Sequence, residues 1–128
     1  DIGEQVRASV EPSLLGIAPR TPVEHRRFVA LSFTAGICEE LAYRGVALGL
    51  VAEAIGMPIA ALATTLAFGL SHAYQGARGI VRTGAVGLVF VGITLGSGSL
   101  LLAMTVHALV DVFQGRLLSA AVTPGRDG

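Results

Sequence analysis

The stretch FVALSFTAGICEELAYRGVALGLV, residues 28–51, carries only three charged side chains, Glu39, Glu40 and Arg44, and all three lie near its middle. A helix needs about 20 consecutive, mainly apolar residues to cross a membrane. We therefore predict a spanning helix here. Because charged groups are costly in lipid, the three side chains are expected to face the interior of a helical bundle and to mark a functional site.

Three further apolar segments follow, and together the segments predict four spanning helices. The predicted spans are Phe28–Val51, Met57–Tyr74, Ile80–Leu95 and Leu100–Val122. Of the 128 residues, 52% are hydrophobic and 14% are charged, whereas soluble domains carry about a quarter charged residues. A soluble bundle is the alternative, but its helices would need charged outer faces. The expected fold is an all-α, polytopic transmembrane helix bundle.

The polarity of the chain divides it into three parts. Residues 1–27 form a polar N-terminal segment, in which Val6–Gly16 favours a short amphipathic helix at the membrane interface. Residues 28–123 form the predicted transmembrane bundle, and residues 124–128 form a C-terminal tail. Because the chain starts at Asp1 without Met, we expect it to be a fragment of a larger bundle.

Basic residues alternate between the two ends of the predicted spans. Before the first span the chain has Arg20, Arg26 and Arg27. The second loop holds Arg78, with Arg82 beside it, and Arg116 and Arg126 lie at the C-terminal end. Since cytoplasmic loops are enriched in Lys and Arg, both ends of the chain are predicted to be cytoplasmic. The absence of Lys and the many Ala and Gly residues favour a bacterial cytoplasmic membrane. A net charge of zero gives no indication of nucleic-acid binding.

The adjacent carboxylates Glu39 and Glu40 are expected to have different roles. Neighbouring residues on an α-helix point about 100° apart. Glu40 and Arg44 are four residues apart, on one face, and can form an ion pair. Glu39 then has no local cation, and a desolvated carboxylate of this kind is a suitable general base for a water molecule. The alternative is that both carboxylates are buried ion-pair partners without chemistry.

Three more polar side chains lie in the later apolar segments. His107 and Asp111 are four residues apart on the last predicted span, where a carboxylate can orient an imidazole or join it in binding a metal or water. His72 lies on the second predicted span; a lone membrane His often only forms a hydrogen bond between helices. The predicted heights of these groups and Glu39 differ by no more than about 10 Å. We therefore predict a common pocket that opens toward the cytoplasm.

Three short motifs resemble those of the CPBP family, which comprises the type II CAAX prenyl endopeptidases and related bacteriocin-processing and immunity proteins. EELAYRG, residues 39–45, resembles its Glu-Glu-x-x-x-Arg motif. FGLSH, residues 68–72, resembles its Phe-x-x-x-His motif, and HALVD, residues 107–111, its His-x-x-x-Asn or His-x-x-x-Asp motif. The three occur in the family's order, each on a separate apolar segment.

The resemblance implies a role for each of these residues. Glu39 would activate the hydrolytic water, His72, His107 and Asp111 would complete the catalytic site, and Glu40 and Arg44 would be the structural pair. Both a zinc enzyme and a metal-free glutamate protease remain open. In the zinc version Glu39, His72 and His107 would be the ligands, since two His and a carboxylate can bind zinc with an open position.

The predicted function is an intramembrane endopeptidase that hydrolyses a peptide bond in a peptide or in a lipidated or membrane-associated protein. Asp111 stands where the eukaryotic prenyl proteases have Asn, which argues against a CAAX substrate. One alternative is a non-catalytic relative that acts in bacteriocin self-immunity or as a membrane scaffold. Another is a proton- or ion-handling bundle, since membrane carboxylates and His also form relays.

Overall fold

The computed structural model describes residues 2–10 and 12–122, and the chain is helical nearly throughout these ranges, without a strand. This confirms the all-α prediction. The predicted C-terminal tail, residues 124–128, lies outside the described residues. The elements are α1 (Ile2–Ser9), α2 (Pro12–Leu15), α3 (Pro22–Glu40), a π-helical segment (Leu41–Ala47), α4 (Leu48–Ile55), α5 (Met57–Ser71), a 3₁₀ turn (Ala73–Gln75), α6 (Gly76–Ser97) and α7 (Leu100–Val122).

Four spans were predicted, and the structure supports that number only in part. Two helical stretches, Ala73–Ser97 and Leu100–Val122, are long and apolar enough to cross a membrane. Met57–Ser71 is apolar but shorter, because its helix ends before His72 rather than after Tyr74. The first predicted span is helical from start to end, but its three charged side chains lower its mean hydropathy.

The first long helix begins at a well-defined N-terminal cap. Thr21 has an extended backbone and its hydroxyl accepts a hydrogen bond from the Glu24 N–H, while the Glu24 carboxylate accepts from the Thr21 N–H. Pro22 occupies the first turn, where its missing N–H costs nothing. The backbone N–H groups of Arg20 and Thr21 hold the pKa of Glu24 below its usual value. This cap fixes where α3 starts and so how far along it Glu39 lies.

The bundle packs in two pairs, α3 against α7 and α5 against α6. Gly36 allows the first pair to approach closely: a Cβ at this position would lie 2.8 Å from the Met104 carbonyl oxygen and 2.9 Å from the Ala108 nitrogen. The residue one turn beyond Gly36 is Glu40, and the residue before Ala108 is His107. The close approach therefore brings the acidic pair of α3 against the His of α7.

The N-terminal segment folds back onto the bundle. It contains two short helices, α1 and α2, where a single amphipathic helix over Val6–Gly16 was expected. Pro12 starts the second helix, because proline fits the first turn of a helix but not its interior. Leu14 and Ala18 are buried against Leu118 of α7.

Large apolar side chains cover the outside of the bundle, while the charged side chains of Glu40 and Arg44 lie inside it. Val81 of α6 is 73% exposed and Leu101 of α7 is 72% exposed, whereas Glu40 is completely buried. Residues surrounded by lipid are expected to be apolar, and ionisable residues in a membrane face the protein interior. The distribution therefore fits a membrane protein.

Candidate active site

The acidic pair lies where the first long helix changes its winding. Glu39 and Glu40 end α3, and the π-helical segment Leu41–Ala47 follows at once. At its end the Leu48 N–H donates to the Tyr43 carbonyl, five residues back. Single turns of π-helix occur frequently at functional sites. Spacing arguments that assume a regular α-helix could not predict this turn.

Glu40 and Arg44 are in direct contact. Arg44 Nη1 donates to Glu40 Oε1 at 3.0 Å, and the two residues are 5% and 0% exposed. Arg44 Nη2 also donates to the Gly87 carbonyl of α6 at 2.8 Å. The guanidinium lies over the Phe68 ring of α5, 4.3 Å from its centroid, a favourable cation–π distance. Arg44 thus joins α5 and α6 to the acidic end of α3.

Glu40 has a second partner that the sequence did not predict. Its Oε1 lies 2.8 Å from His107 Nδ1. Since an ionised carboxylate only accepts, Nδ1 donates, and Nε2 is directed away from Glu40. Phe90 stacks on one face of the ring, with 4.7 Å between the centroids. The position of the His107 ring is therefore fixed by a buried carboxylate and an aromatic face.

His72 lies just beyond the end of α5, and not within the second span as predicted. It is the C-cap residue of the helix. Its Nδ1 lies 2.9 Å from the Phe68 carbonyl oxygen, and a carbonyl can only accept, so Nδ1 donates. The two rings also pack, 4.9 Å apart. These contacts give a physical reason for the Phe-x-x-x-His spacing: Phe68 supplies both the acceptor and the face that orient His72.

The four predicted catalytic residues converge on one place. Glu39 Oε2 lies 3.9 Å from His72 Nε2 and 3.8 Å from His107 Nε2. Asp111 Oδ2 lies 3.6 Å from the same His107 nitrogen. The Glu39 side chain is 33% exposed, in contrast to fully buried Glu40. The structure thus separates the two carboxylates, with Glu39 facing the cluster and Glu40 supporting it from behind.

The cluster opens into a cavity of about 300 Å³. Its wall contains polar groups that were not predicted, notably Gln75 and Arg82 from the region where α6 begins, and Gln114 from α7. Leu14 and Ile17 of the N-terminal segment also line it. No short motif marks these residues in the sequence, because they come together only when four separate segments pack.

A zinc site requires closer donors than the structure shows. With zinc–nitrogen bonds of about 2.0–2.1 Å, tetrahedral ligand atoms lie about 3.4 Å apart. Glu39 Oε2 is 3.8 Å and 3.9 Å from the two imidazole nitrogens of His107 and His72. In the described part of the chain, no three His, Cys, Asp or Glu side chains are placed to hold a metal ion. The donor types suit zinc but their spacing does not, and the zinc version and the metal-free version of the site both stay predictions.

A buried carboxylate–imidazole cluster inside an apolar helix bundle defines a class of membrane proteins with a polar intramembrane site. The family model described as type II CAAX prenyl endopeptidase Rce1-like matches residues 23–113. The chain belongs to this family, and the resemblance carried by the three motifs is confirmed. Comparisons with curated proteins and with solved structures gave no match.

The family match includes every residue of the cluster, from Glu39 to Asp111. Membership indicates a membrane-embedded peptidase of the CAAX protease type. Family membership does not assign the residue roles, the cofactor or the substrate, because one fold can carry different functions.

Proposed function

We propose that this protein is an intramembrane endopeptidase in which Glu39 activates a water molecule. The observation that carries the proposal is the convergence of Glu39 Oε2 on two imidazole nitrogens, at 3.8 Å and 3.9 Å. These separations are too long for direct hydrogen bonds. They suit a single water between the groups, since polar contacts beyond about 3.5 Å are commonly bridged by water.

The residues divide the chemistry among them. Glu39 takes a proton from the water, whose oxygen forms a bond to the peptide carbonyl carbon. His72 Nε2, free because Nδ1 donates to Phe68, accepts the second hydrogen bond of the water and orients it. When the carbon–nitrogen bond breaks, Glu39 passes its proton to the leaving amine. The immediate products are a carboxylic acid, which keeps the second proton of the water, and an amine; that proton then passes from the acid to the amine, which leaves a carboxylate and an ammonium group, so atoms and protons balance.

His107 is suited to stabilise the negative charge that develops on the carbonyl oxygen. Its Nδ1 lies 2.8 Å from Glu40 Oε1 and its Nε2 lies 3.6 Å from Asp111 Oδ2. With Nδ1 donating to Glu40, a ring that also holds a proton on Nε2 has an N–H donor to point at the forming oxyanion. Asp111 thereby contributes through His107.

The substrate is proposed to be a peptide segment of a lipidated or membrane-associated protein, presented from the cytoplasmic side of a bacterial membrane. The cavity lies at the end of the bundle where α3 begins and α7 ends, and its lining includes residues of the N-terminal segment. Basic residues gather at this end, including Arg26, Arg78 and Arg116. An excess of Arg is typical of the cytoplasmic face.

The test is peptide hydrolysis by the purified protein in proteoliposomes. A pool of lipid-tailed peptides is incubated with protein-containing and empty vesicles, and the products are identified by mass spectrometry. We expect new peptide termini only with the protein. Proton flux across the vesicles without any cleavage would instead favour an ion-handling bundle. Neither cleavage nor flux would favour the non-catalytic immunity or scaffold role.

A further inference from the structure

The cavity contains a second charged group that the water-activating cluster does not use. Arg82, in the first third of α6, lines the same cavity as Glu39 and His72. It is an exposed side chain, whereas the other Arg near the site, Arg44, is buried and paired with Glu40. A charged side chain that faces a substrate cavity is available to bind a substrate group.

A buried amide holds Arg82 in place. Arg82 Nη2 donates to Gln75 Oε1 at 3.2 Å, and the Gln75 Nε2 donates to the Tyr74 hydroxyl at 3.1 Å. Gln75 is only 8% exposed. Residue 79 must be Gly for this arrangement, because a Cβ there would overlap the Cβ of Gln75. The Arg82 side chain is thus oriented by a packed support.

Among the described residues, Arg82 has no ion-pair partner. In residues 2–10 and 12–122, no carboxylate lies within 4.0 Å of its guanidinium, although Glu39 and Asp111 line the same cavity. A guanidinium carries five N–H donors, and one nitrogen of Arg82 donates to Gln75. The remaining fork has the geometry that pairs with a carboxylate in a bidentate manner.

We infer that Arg82 binds a carboxylate of the substrate and so sets which peptide bond reaches Glu39. This inference rests on the proposed peptidase function. The carboxylate has two sources, the free C-terminus of the substrate chain or an acidic side chain near the scissile bond. In either case the enzyme recognises an anionic group at a fixed distance from the bond that it cleaves.

The experiment measures binding without hydrolysis. The full chain carrying Glu39→Gln is placed in phosphatidylcholine nanodiscs, and fluorescence anisotropy follows three fluorescent, lipid-tailed hexapeptides. The first ends in a free carboxylate, the second is its carboxamide, and the third is a carboxamide with Glu as its last residue. The same titrations are repeated with Arg82→Gln, Arg82→Lys and the control Arg78→Gln. Arg78 is exposed on the same helix, one turn earlier, and does not line the cavity.

We expect the free acid to bind at least about tenfold more tightly than the carboxamide, as a charged hydrogen-bonded pair provides. Arg82→Gln should abolish this ratio, Arg82→Lys should keep part of it, and Arg78→Gln should leave it unchanged. Tight binding of the Glu-ended carboxamide would identify a side-chain carboxylate as the ligand; weak binding would identify the free C-terminus.

Equal or absent binding of the acid and the carboxamide by the Arg82 protein would overturn the inference. So would an acid preference that survives Arg82→Gln, or one that Arg78→Gln lowers equally. Because no hydrolysis is involved, a wild-type protein that cleaves nothing would contradict the proposed function and leave these titrations interpretable. Conversely, titrations that overturn the Arg82 inference would not contradict peptide cleavage by Glu39.

Discussion

The adjacent carboxylates Glu39 and Glu40 differ in their burial and in their hydrogen bonds. Glu40 is fully buried and its Oε1 accepts hydrogen bonds from both Arg44 and His107, whereas the Glu39 side chain is 33% exposed in the cavity. One carboxylate is thus enclosed by its hydrogen-bond partners, and the other is accessible from the cavity. The roles of Glu40 and Arg44 can be tested through stability.

Replacing Glu40 with Gln should destabilise the protein. Arg44 would remain buried without its counter-charge, which typically costs about 3–5 kcal/mol. We expect a clear fall in the melting temperature of the protein in detergent, together with lower yield. The matched control is Glu53→Gln, at an exposed position of α4. Its melting temperature should equal that of the wild type. A Glu40→Gln protein as stable as this control would contradict the structural pair.

The spacing of the donor atoms leads to a prediction for metal removal. Glu39, His72 and His107 lie wider apart than zinc ligands, so we expect cleavage to survive treatment with a strong chelator. Metal content and product formation are measured on the same sample before and after chelation. Activity that disappears on chelation and returns with added zinc would show that these residues close around a metal.

At the scale of residues, the sequence could predict the division within the acidic pair because it follows from helix geometry. The contact between Glu40 and His107 could not be predicted, since it joins residues 67 positions apart and depends on how α3 packs on α7. The sequence shows Arg82 only as a basic residue beside the second loop, because its position in the cavity wall depends on the fold.

Among the elements, the α3–α7 pair is decisive, since it brings Glu39 and Glu40 against His107. That approach depends on Gly36, where a Cβ would lie 2.8 Å from a backbone oxygen of α7. Backbone atoms cannot move aside as a flexible side chain can, so an added methyl must separate the helices.

Gly36→Ala should therefore lower both stability and activity. Overpacking of this kind costs about 1–3 kcal/mol, and the shift moves the carboxylates away from the imidazole. The free energy of unfolding and the cleavage rate are the measurements. The control is Gly49→Ala on α4, where a Cβ meets nothing within 4 Å. Since Ala is the better helix former, this control should be neutral or slightly stabilising. Equal behaviour of the two variants would argue against close packing at Gly36.

The helices themselves were largely predictable, and their ends were not. The lengths of the apolar segments predict α7 and most of α5 and α6, because helices that face lipid and helices that face the core are both apolar. Hydropathy carries no information about the backbone conformation at the end of a helix. It therefore does not predict that α5 ends early, at Ser71, or that a π-helical segment follows Glu40. Both irregularities adjoin catalytic candidates.

At the scale of the whole molecule, large apolar side chains are exposed on the outside of the bundle, Glu40 and Arg44 are buried inside it, and basic residues lie at one end. Two helical stretches in the described part of the chain are long and apolar enough to cross a membrane. Four spans with both chain ends in the cytoplasm stay a prediction from the distribution of Arg in the sequence. The folding of the N-terminal segment against α7 was not predictable in the same way, because its polar composition suits an interface as well as a cavity rim.

The topology can be tested by cysteine labelling in a Cys38→Ala background, since Cys38 is the only cysteine. Ser13→Cys lies on α2 and Ser99→Cys lies in the loop before α7. We expect an impermeant maleimide to label Ser13→Cys only in inside-out vesicles and Ser99→Cys only from outside intact cells. Labelling of both positions from one side would contradict the predicted number of spans.

The most direct test of the account is the cleavage rate of Glu39→Gln beside that of Glu53→Gln, measured in proteoliposomes with the same peptide. The change at Glu39 keeps the size of the side chain and removes only its ability to take a proton. We expect Glu39→Gln to slow product formation by about 10²–10⁴-fold, as loss of a general base does, while Glu53→Gln cleaves at the wild-type rate. A Glu39→Gln protein that cleaves at the wild-type rate would show that Glu39 is not the base.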